Sequence, residues 1–157
     1  MKEKVYIETT IPSYLTSKSS KNIILLAHQS LTKQWWGQYK NNYLLYTAPI
    51  TFEEVSRGDS TAVQKRQKIL DEIDVLKPDI QIEQLAEIYA KELCISKKAG
   101  ADALHLAYAT FYKMDYLLTW NCTHLANAHV KVKLLQINQK MKIKNVEICT
   151  PEQLMED

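Results

Sequence analysis

The sequence predicts an α/β fold on a mainly parallel sheet covered by helices on both faces. Short β-branched and aromatic runs alternate with amphipathic stretches long enough to act as crossovers. Only three Gly and four Pro are scattered along the 157 residues, so neither a linker nor a repeat interrupts that alternation. Residues 1–157 are therefore expected to form a single domain, large enough to bury a real core.

Val5-Tyr6-Ile7 is the first strand, and Pro12 soon after it bars continuation as a paired central strand, so the strand should stop near Glu8. Residues 19–40 then read as one long helix, capped by Ser19 or Ser20, with Ile23, Ile24, Ala27, Leu31, Trp35 and Tyr39 at helical spacing. Trp35 and Trp36 fit packing better than base stacking. Tyr43 to Ala48 is the second strand, ended by Pro49, and Thr51 with Glu54 three residues on makes a capping-box pattern for a short helix closed by Gly58. A helix over Ser60 to Glu72, a short strand over Ile73 to Leu76 and an amphipathic helix marked by Ile82, Leu85, Ala86, Tyr89 and Leu93 follow. Ala101 to Lys113 is helical, Asp115 to Thr119 a buried strand, and Val130 to Met141 helical. Val146 to Cys149 is the last strand, and Thr150-Pro151-Glu152 opens a terminal helix.

Composition excludes several classes. At 46% apolar and 24% charged the chain is ordinary for a water-soluble globule, and no run approaches the length needed to span a bilayer. Three cysteines, Cys94, Cys122 and Cys149, are odd in number and far apart, which fits neither a disulfide framework nor a zinc spacing. A reducing cytoplasm is the expected location, without membrane association. The net charge of +2 does not itself announce a nucleic-acid binder. Its distribution is more telling: Tyr116 to Val146 contains no Asp or Glu but holds Lys131, Lys133, Lys140, Lys142 and Lys144 near His124 and His129. That third would draw a polyanion, or simply be a solvated Lys-rich helix face.

Chemistry is concentrated where strands stop or helices start. Glu8, Glu54, Asp102 and Asn121 each stand at such a point, and an open parallel sheet gathers these points along one edge. Hard divalent ions such as Mg²⁺ or Mn²⁺ take oxygen ligands of this kind, and phosphodiester hydrolysis uses them. No Ser-His-Asp pattern, phosphate-cradling glycine loop or zinc signature competes. Glu8 is strand-unfavourable and precedes Thr9-Thr10, whose hydroxyls would orient it. Glu54 serves either the site or only the Thr51 cap, and Glu53 stands ready to replace it. Asp102 lies in a first helical turn that favours a carboxylate in any case, and His105 one turn on is a core or orienting group. Asn121 brings a carbonyl oxygen without charge, and His124 and Asn127 follow it at one-turn spacing, placed either to contact phosphate or to cap a short helix.

Taken together, Tyr6-Ile7-Glu8-Thr9-Thr10-Ile11-Pro12-Ser13-Tyr14-Leu15, Glu54-Val55-Ser56-Arg57-Gly58-Asp59, Asp102-Ala103-Leu104-His105-Leu106-Ala107 and Leu117-Leu118-Thr119-Trp120-Asn121-Cys122-Thr123-His124-Leu125-Ala126-Asn127 resemble the PIN-domain family, in particular its VapC-like toxin branch. The resemblance spans nearly the whole chain. It implies a three-layer α/β/α fold with about five parallel strands, a homodimer, and a metal-dependent endoribonuclease paired with an antitoxin protein. Carried over by motif position, Glu8, Glu54 and Asp102 take the Mg²⁺- or Mn²⁺-binding roles, Asn121 stands at the fourth position of that catalytic set and Thr10 takes the place of the small polar residue after the first acid. His105 by its helical placement would stand behind them, and His124, Lys131 and Lys133 of the basic third would face the RNA. Two positions depart from the family pattern: Glu8 stands where Asp is usual, and Asn121 where a fourth acid is frequent. Those departures motivate an alternative, a catalytically silent PIN-like module that binds RNA or a protein.

Overall fold

The computed structural model describes residues 1–156. Its five strands are β1 (Lys4–Ile7), β2 (Leu44–Thr47), β3 (Asp74–Val75), β4 (Tyr116–Leu118) and β5 (Glu147–Cys149), all parallel, in the order β3-β2-β1-β4-β5. The helices are α1 (Thr10–Thr16), α2 (Ile23–Gln38), α3 (Pro49–Val55), α4 (Ser60–Leu70), α5 (Ile80–Glu92), α6 (Gly100–Phe111) and α7 (Ala128–Met141), with a 3₁₀ turn at Pro151–Leu154. The α/β class and the parallel sheet of five strands are as predicted.

Strand alternation divides the core in two. On β1, Tyr6 packs with α5, α6 and α7 residues such as Tyr89, Leu106 and Leu134, while Val5 and Ile7 pack with Ile11, Trp35 and Leu70 of α1, α2 and α4. Leu117 and Ile148 follow Tyr6, and Leu118 and Cys149 follow Val5 and Ile7. The sheet is thus the middle of three layers. The chain crosses from β3 on one flank to β4 on the other side of β1, so the carboxyl ends of β1 and β4 flank the topological switch point.

The element starts differ instructively. The helix α1 was not anticipated: Pro12 lies in its first turn, where a missing N–H costs nothing, so the residue that ends the strand also favours a helix start. The next helix begins at Ile23, capped not by Ser19 or Ser20 but by Asn22, whose Oδ1 accepts from Ile24 N and Leu25 N. It buries Gln29, Thr32 and Trp35 and leaves Ile23 and Ile24 exposed, so the helical spacing is right but its apolar start is not core. The capping box at Thr51 is absent, because Pro49 occupies the first turn of α3 and Thr51 is already inside it. Glu54 therefore lies near the C-terminal end of α3, free of any capping duty.

At the amino ends of the strands, Asp115 accepts from Lys4 N at 2.8 Å and from Lys144 Nζ at 2.5 Å, fastening β1 to the start of β4. The Lys144 and Lys4 donors hold its carboxyl below the ordinary value. A depressed folded value means the stabilisation is present above the unfolded-state pKa of about 4 and is lost as pH falls through the lower folded value. Asp115→Asn should therefore lower stability by roughly 1 kcal/mol at neutral pH, discounted for its partial exposure, and flatten the acid limb of a urea-denaturation profile. An unchanged acid limb would rule out this role.

Candidate active site at the carboxyl edge of the sheet

Four elements converge at the switch point. Glu8 follows β1 directly and is only 4% exposed. Its Oε2 accepts from Thr10 N at 3.0 Å, Thr10 Oγ1 at 2.6 Å and Thr119 Oγ1 at 2.7 Å. Neither hydroxyl is free to turn away, because Thr10 Oγ1 accepts from Trp120 N and Thr119 Oγ1 accepts from Asn121 N, which leaves each O–H proton for Glu8. The ends of β1 and β4 are thereby tied around one carboxylate. No Lys, Arg or His neutralises it among the described residues, an uncommon situation for a buried acid.

Glu54 supplies the second carboxylate. Its Oε1 accepts from Thr9 Oγ1 at 2.6 Å and meets His105 Nε2 at 2.5 Å. Burial opposes ionisation of Glu54, yet the hydrogen bond from His105, the Thr9 hydroxyl and the charge of Arg57 together hold its carboxyl below the ordinary value. The other ring nitrogen of His105, Nδ1, lies 2.7 Å from Tyr6 Oη. Since an ionised carboxylate only accepts, His105 donates through Nε2 and Tyr6 donates to Nδ1, which defines the neutral tautomer. Burial lifts the Tyr6 phenol well above its ordinary value, in keeping with its role as a proton donor here. His105 is fully buried and hydrogen-bonded to Glu54.

Ligand atoms of Glu8, Glu54 and His105 all lie within 4.8 Å of one another. The two carboxylates fit a hard divalent ion, close together and one of them with no cationic partner among the described residues, whereas His105, with both ring nitrogens engaged, would orient Glu54 rather than ligate.

Asp102, in the first turn of α6, belongs to an adjoining cluster. Asn121 Nδ2 donates to its Oδ1 at 3.1 Å, and His124 Nδ1 meets its Oδ2 at 3.0 Å. Burial raises the Asp102 carboxyl above its ordinary value, against the opposing effects of His105, His124 and Asn121. Asn121 also accepts from His124 N through Oδ1, so both ends of its amide are engaged in orienting the Asp102–His124 pair. An acid at this position could not donate to Asp102, which gives the amide a physical reason. His124, expected toward RNA, rests on Asp102 instead, with its imidazole half-exposed.

The basic C-terminal third is less uniform than its sequence suggests. Lys131 pairs with Glu147 at 2.7 Å, and Lys133 is exposed on α7. Lys144 pairs with Asp115 at the amino end of β4, the opposite edge of the sheet from the acids. Within this third, Lys131 and Lys133 lie near the start of α7, which follows the carboxyl end of β4. Sequence reasoning missed the roles of Tyr6, Thr119 and Arg57. Thr119 carried a usable signal, a hydroxyl at the end of a buried strand two residues before Asn121, whereas Tyr6 reads as plain core.

No family model and no curated protein matches the sequence. Solved structures do resemble the fold. VapBC2 from Rickettsia felis, bound to a DNA fragment from its promoter, contains a chain similar at TM-score 0.58 and 13% identity, over 94% of this chain and 98% of that one. VapBC-1 from nontypeable Haemophilus influenzae is similar at TM-score 0.56 and 17% identity, covering 95% and 98%. FitAcB from Neisseria gonorrhoeae is similar at TM-score 0.55 and 13% identity, covering 94% and 98%. Near-complete coverage in both directions means that the architecture as a whole has the PIN-like fold of these VapC-type chains.

Proposed function

We propose that the chain is a metal-dependent endoribonuclease, the toxin of a toxin-antitoxin pair. The observation that carries this reading is Glu8: a buried carboxylate at the switch point, held by three donors on one oxygen, with no ion-pair partner among the described residues and a second carboxylate within 4.8 Å. A divalent cation compensates such a pair at low cost, since the ligands are already ordered. Glu8 and Glu54 would hold Mg²⁺ or Mn²⁺, and Asp102 would complete the acidic edge. When bound, the ion would supply charge to polarise a phosphodiester and lower the pKa of water.

The protein's own groups account for the rest. Thr10 and Thr119 fix Glu8, Thr9 and His105 fix Glu54, and Asn121 fixes Asp102. His124 Nδ1 meets Asp102, so its imidazole is placed to hold or release a proton beside that carboxylate. Arg57, near Glu54, and Lys133, on α7, provide cationic flanks for an RNA backbone. The similar solved structures are VapBC complexes and FitAcB, which supports an antitoxin partner, and we extend the proposal to that partner covering this edge and to a cytoplasmic, homodimeric toxin. Among the described residues no helix is long and apolar enough to cross a membrane.

The test is cleavage of labelled single-stranded RNA in Mg²⁺ and in Mn²⁺, with EDTA and Asp102→Ala beside it. Cleavage should require both the metal and Asp102. Cleavage that persists in Asp102→Ala, with contaminating nuclease excluded, would refute the assignment, and a folded wild-type protein inert under both metals would favour the silent binding module.

A further inference from the structure

Three aromatic rings stand parallel beside the acidic edge. The His28 ring of α2 lies on Trp120 with centroids 4.0 Å apart and planes 11° apart. Tyr14 of α1 is inclined 12° to Trp120 and 16° to His28, at centroid separations of 6.3 and 6.4 Å. A ring stacked on the outside of either partner would stand about 7 Å from the farther one, twice the ~3.5 Å contact spacing. Tyr14 therefore lies alongside the His28–Trp120 pair, and the three rings form a shelf rather than a column.

The shelf is anchored through Trp120 and reaches the surface through Tyr14 and His28. Trp120 is 6% exposed, and its Nε1 donates to Thr32 Oγ1 at 2.7 Å, which fixes the indole in its plane. Tyr14 and His28 are each partly exposed. The connection to the acids is immediate. Trp120 lies between Thr119, which binds Glu8, and Asn121, which binds Asp102, and its own N–H donates to Thr10 Oγ1. Tyr14 belongs to the helix that begins at Thr10. After burial, the charges of Cys122 and Glu8 are what push its phenol upward, which places it in the same neighbourhood.

Ordinary apolar side chains would be enough to glue α1 to α2. A flat imidazole laid on an indole beside a nearly parallel phenol also suits a further planar ring, and single-stranded nucleic acids are commonly held by such stacking. We propose that Tyr14 and His28, seated on Trp120, form a nucleobase-stacking subsite that receives a base of single-stranded RNA next to the phosphate at the acidic edge. This rests on the reading of that edge as a nuclease site. It deepens that reading by assigning the substrate's form: an unpaired base with a free face, of any identity, in preference to duplex.

The test uses one labelled single-stranded RNA and a series in which an abasic nucleotide replaces each position in turn. Cleavage in Mn²⁺ and binding in EDTA by fluorescence anisotropy are both measured, for wild type, Tyr14→Phe, Tyr14→Leu and His28→Leu. At one position near the cleavage point, wild type and Tyr14→Phe should favour the intact RNA by about tenfold. Tyr14→Leu and His28→Leu should lose that preference, chiefly through KM. Leu variants that keep the preference, or that weaken intact and abasic RNA equally while melting earlier, would reduce the shelf to packing. Metal-dependent cleavage by wild type with no base preference at any position would overturn the subsite and leave the nuclease standing. Base-dependent binding in EDTA without cleavage would do the reverse, and neither binding nor cleavage would overturn both.

Discussion

Glu8→Gln is expected to abolish Mn²⁺-dependent RNA cleavage while leaving the metal-free protein at least as stable as wild type. The opposite signs follow from the same local physics. Without a cation, the Glu8 and Glu54 carboxylates stand within 4.8 Å of each other, and two like charges about 5 Å apart repel by roughly 3 kcal/mol at an effective dielectric constant near 20. The hydrogen bond from His105 relieves Glu54 but not Glu8. Gln removes that repulsion, and its carbonyl oxygen still accepts from the Thr10 and Thr119 hydroxyls, so the fold keeps its tie between β1 and β4. The ion, by contrast, loses its most buried ligand. Thermal melting with and without Mn²⁺ measures both sides: wild type should gain about 2.7 kcal/mol at a metal concentration one hundred times Kd, and Glu8→Gln should gain almost nothing. A carboxylate kept only for structure would behave differently, with the variant melting earlier and the response to Mn²⁺ unchanged.

Much of this edge was legible in the sequence because its parts follow local rules. Glu8 interrupts a β-branched run, Asp102 falls in a helix's first turn, and Asn121 follows an apolar strand, so each position is fixed by the end of an element. Strand order then brings them together without further information. Errors arose where two local rules share one residue. Pro12 is both a strand terminator and a comfortable first-turn helix residue, and the first property alone does not reveal α1. Thr51 and Glu54 match a capping box, but Pro49 two residues earlier takes the helix start. The roles of His124 and Lys144 were illegible for a different reason. Both depend on partners, Asp102 and Asp115, that lie 22 and 29 residues away and meet them only in the folded chain. Tyr6 is the extreme case: nothing in a Val-Tyr-Ile strand announces that the phenol ends on a histidine 99 residues later.

That Tyr6–His105–Glu54 chain carries the second large expectation. His105→Ala should cost about 2–4 kcal/mol, because it empties a fully buried site and strands two polar groups at once. For a chain of this length the loss corresponds to a fall in Tm on the order of 10 °C. Metal affinity and cleavage should drop by roughly 10–100-fold as well, since Glu54 loses the donor that sets its orientation and favours its ionised form. Tyr6→Phe separates the two effects. It keeps the edge-on ring contact with His105, centroids 5.7 Å apart, but withdraws the proton from Nδ1, at an expected cost of about 1–3 kcal/mol. His105 then has no fixed tautomer, so the Glu54 contact should weaken without being removed. Because both variants break one chain, the double variant should be less destabilised than the sum of the singles, by more than the ~0.5 kcal/mol within which independent sites add. Additive losses, or a His105→Ala protein that binds Mn²⁺ as tightly as wild type, would show that His105 is packing alone and that Glu54 is held by Thr9.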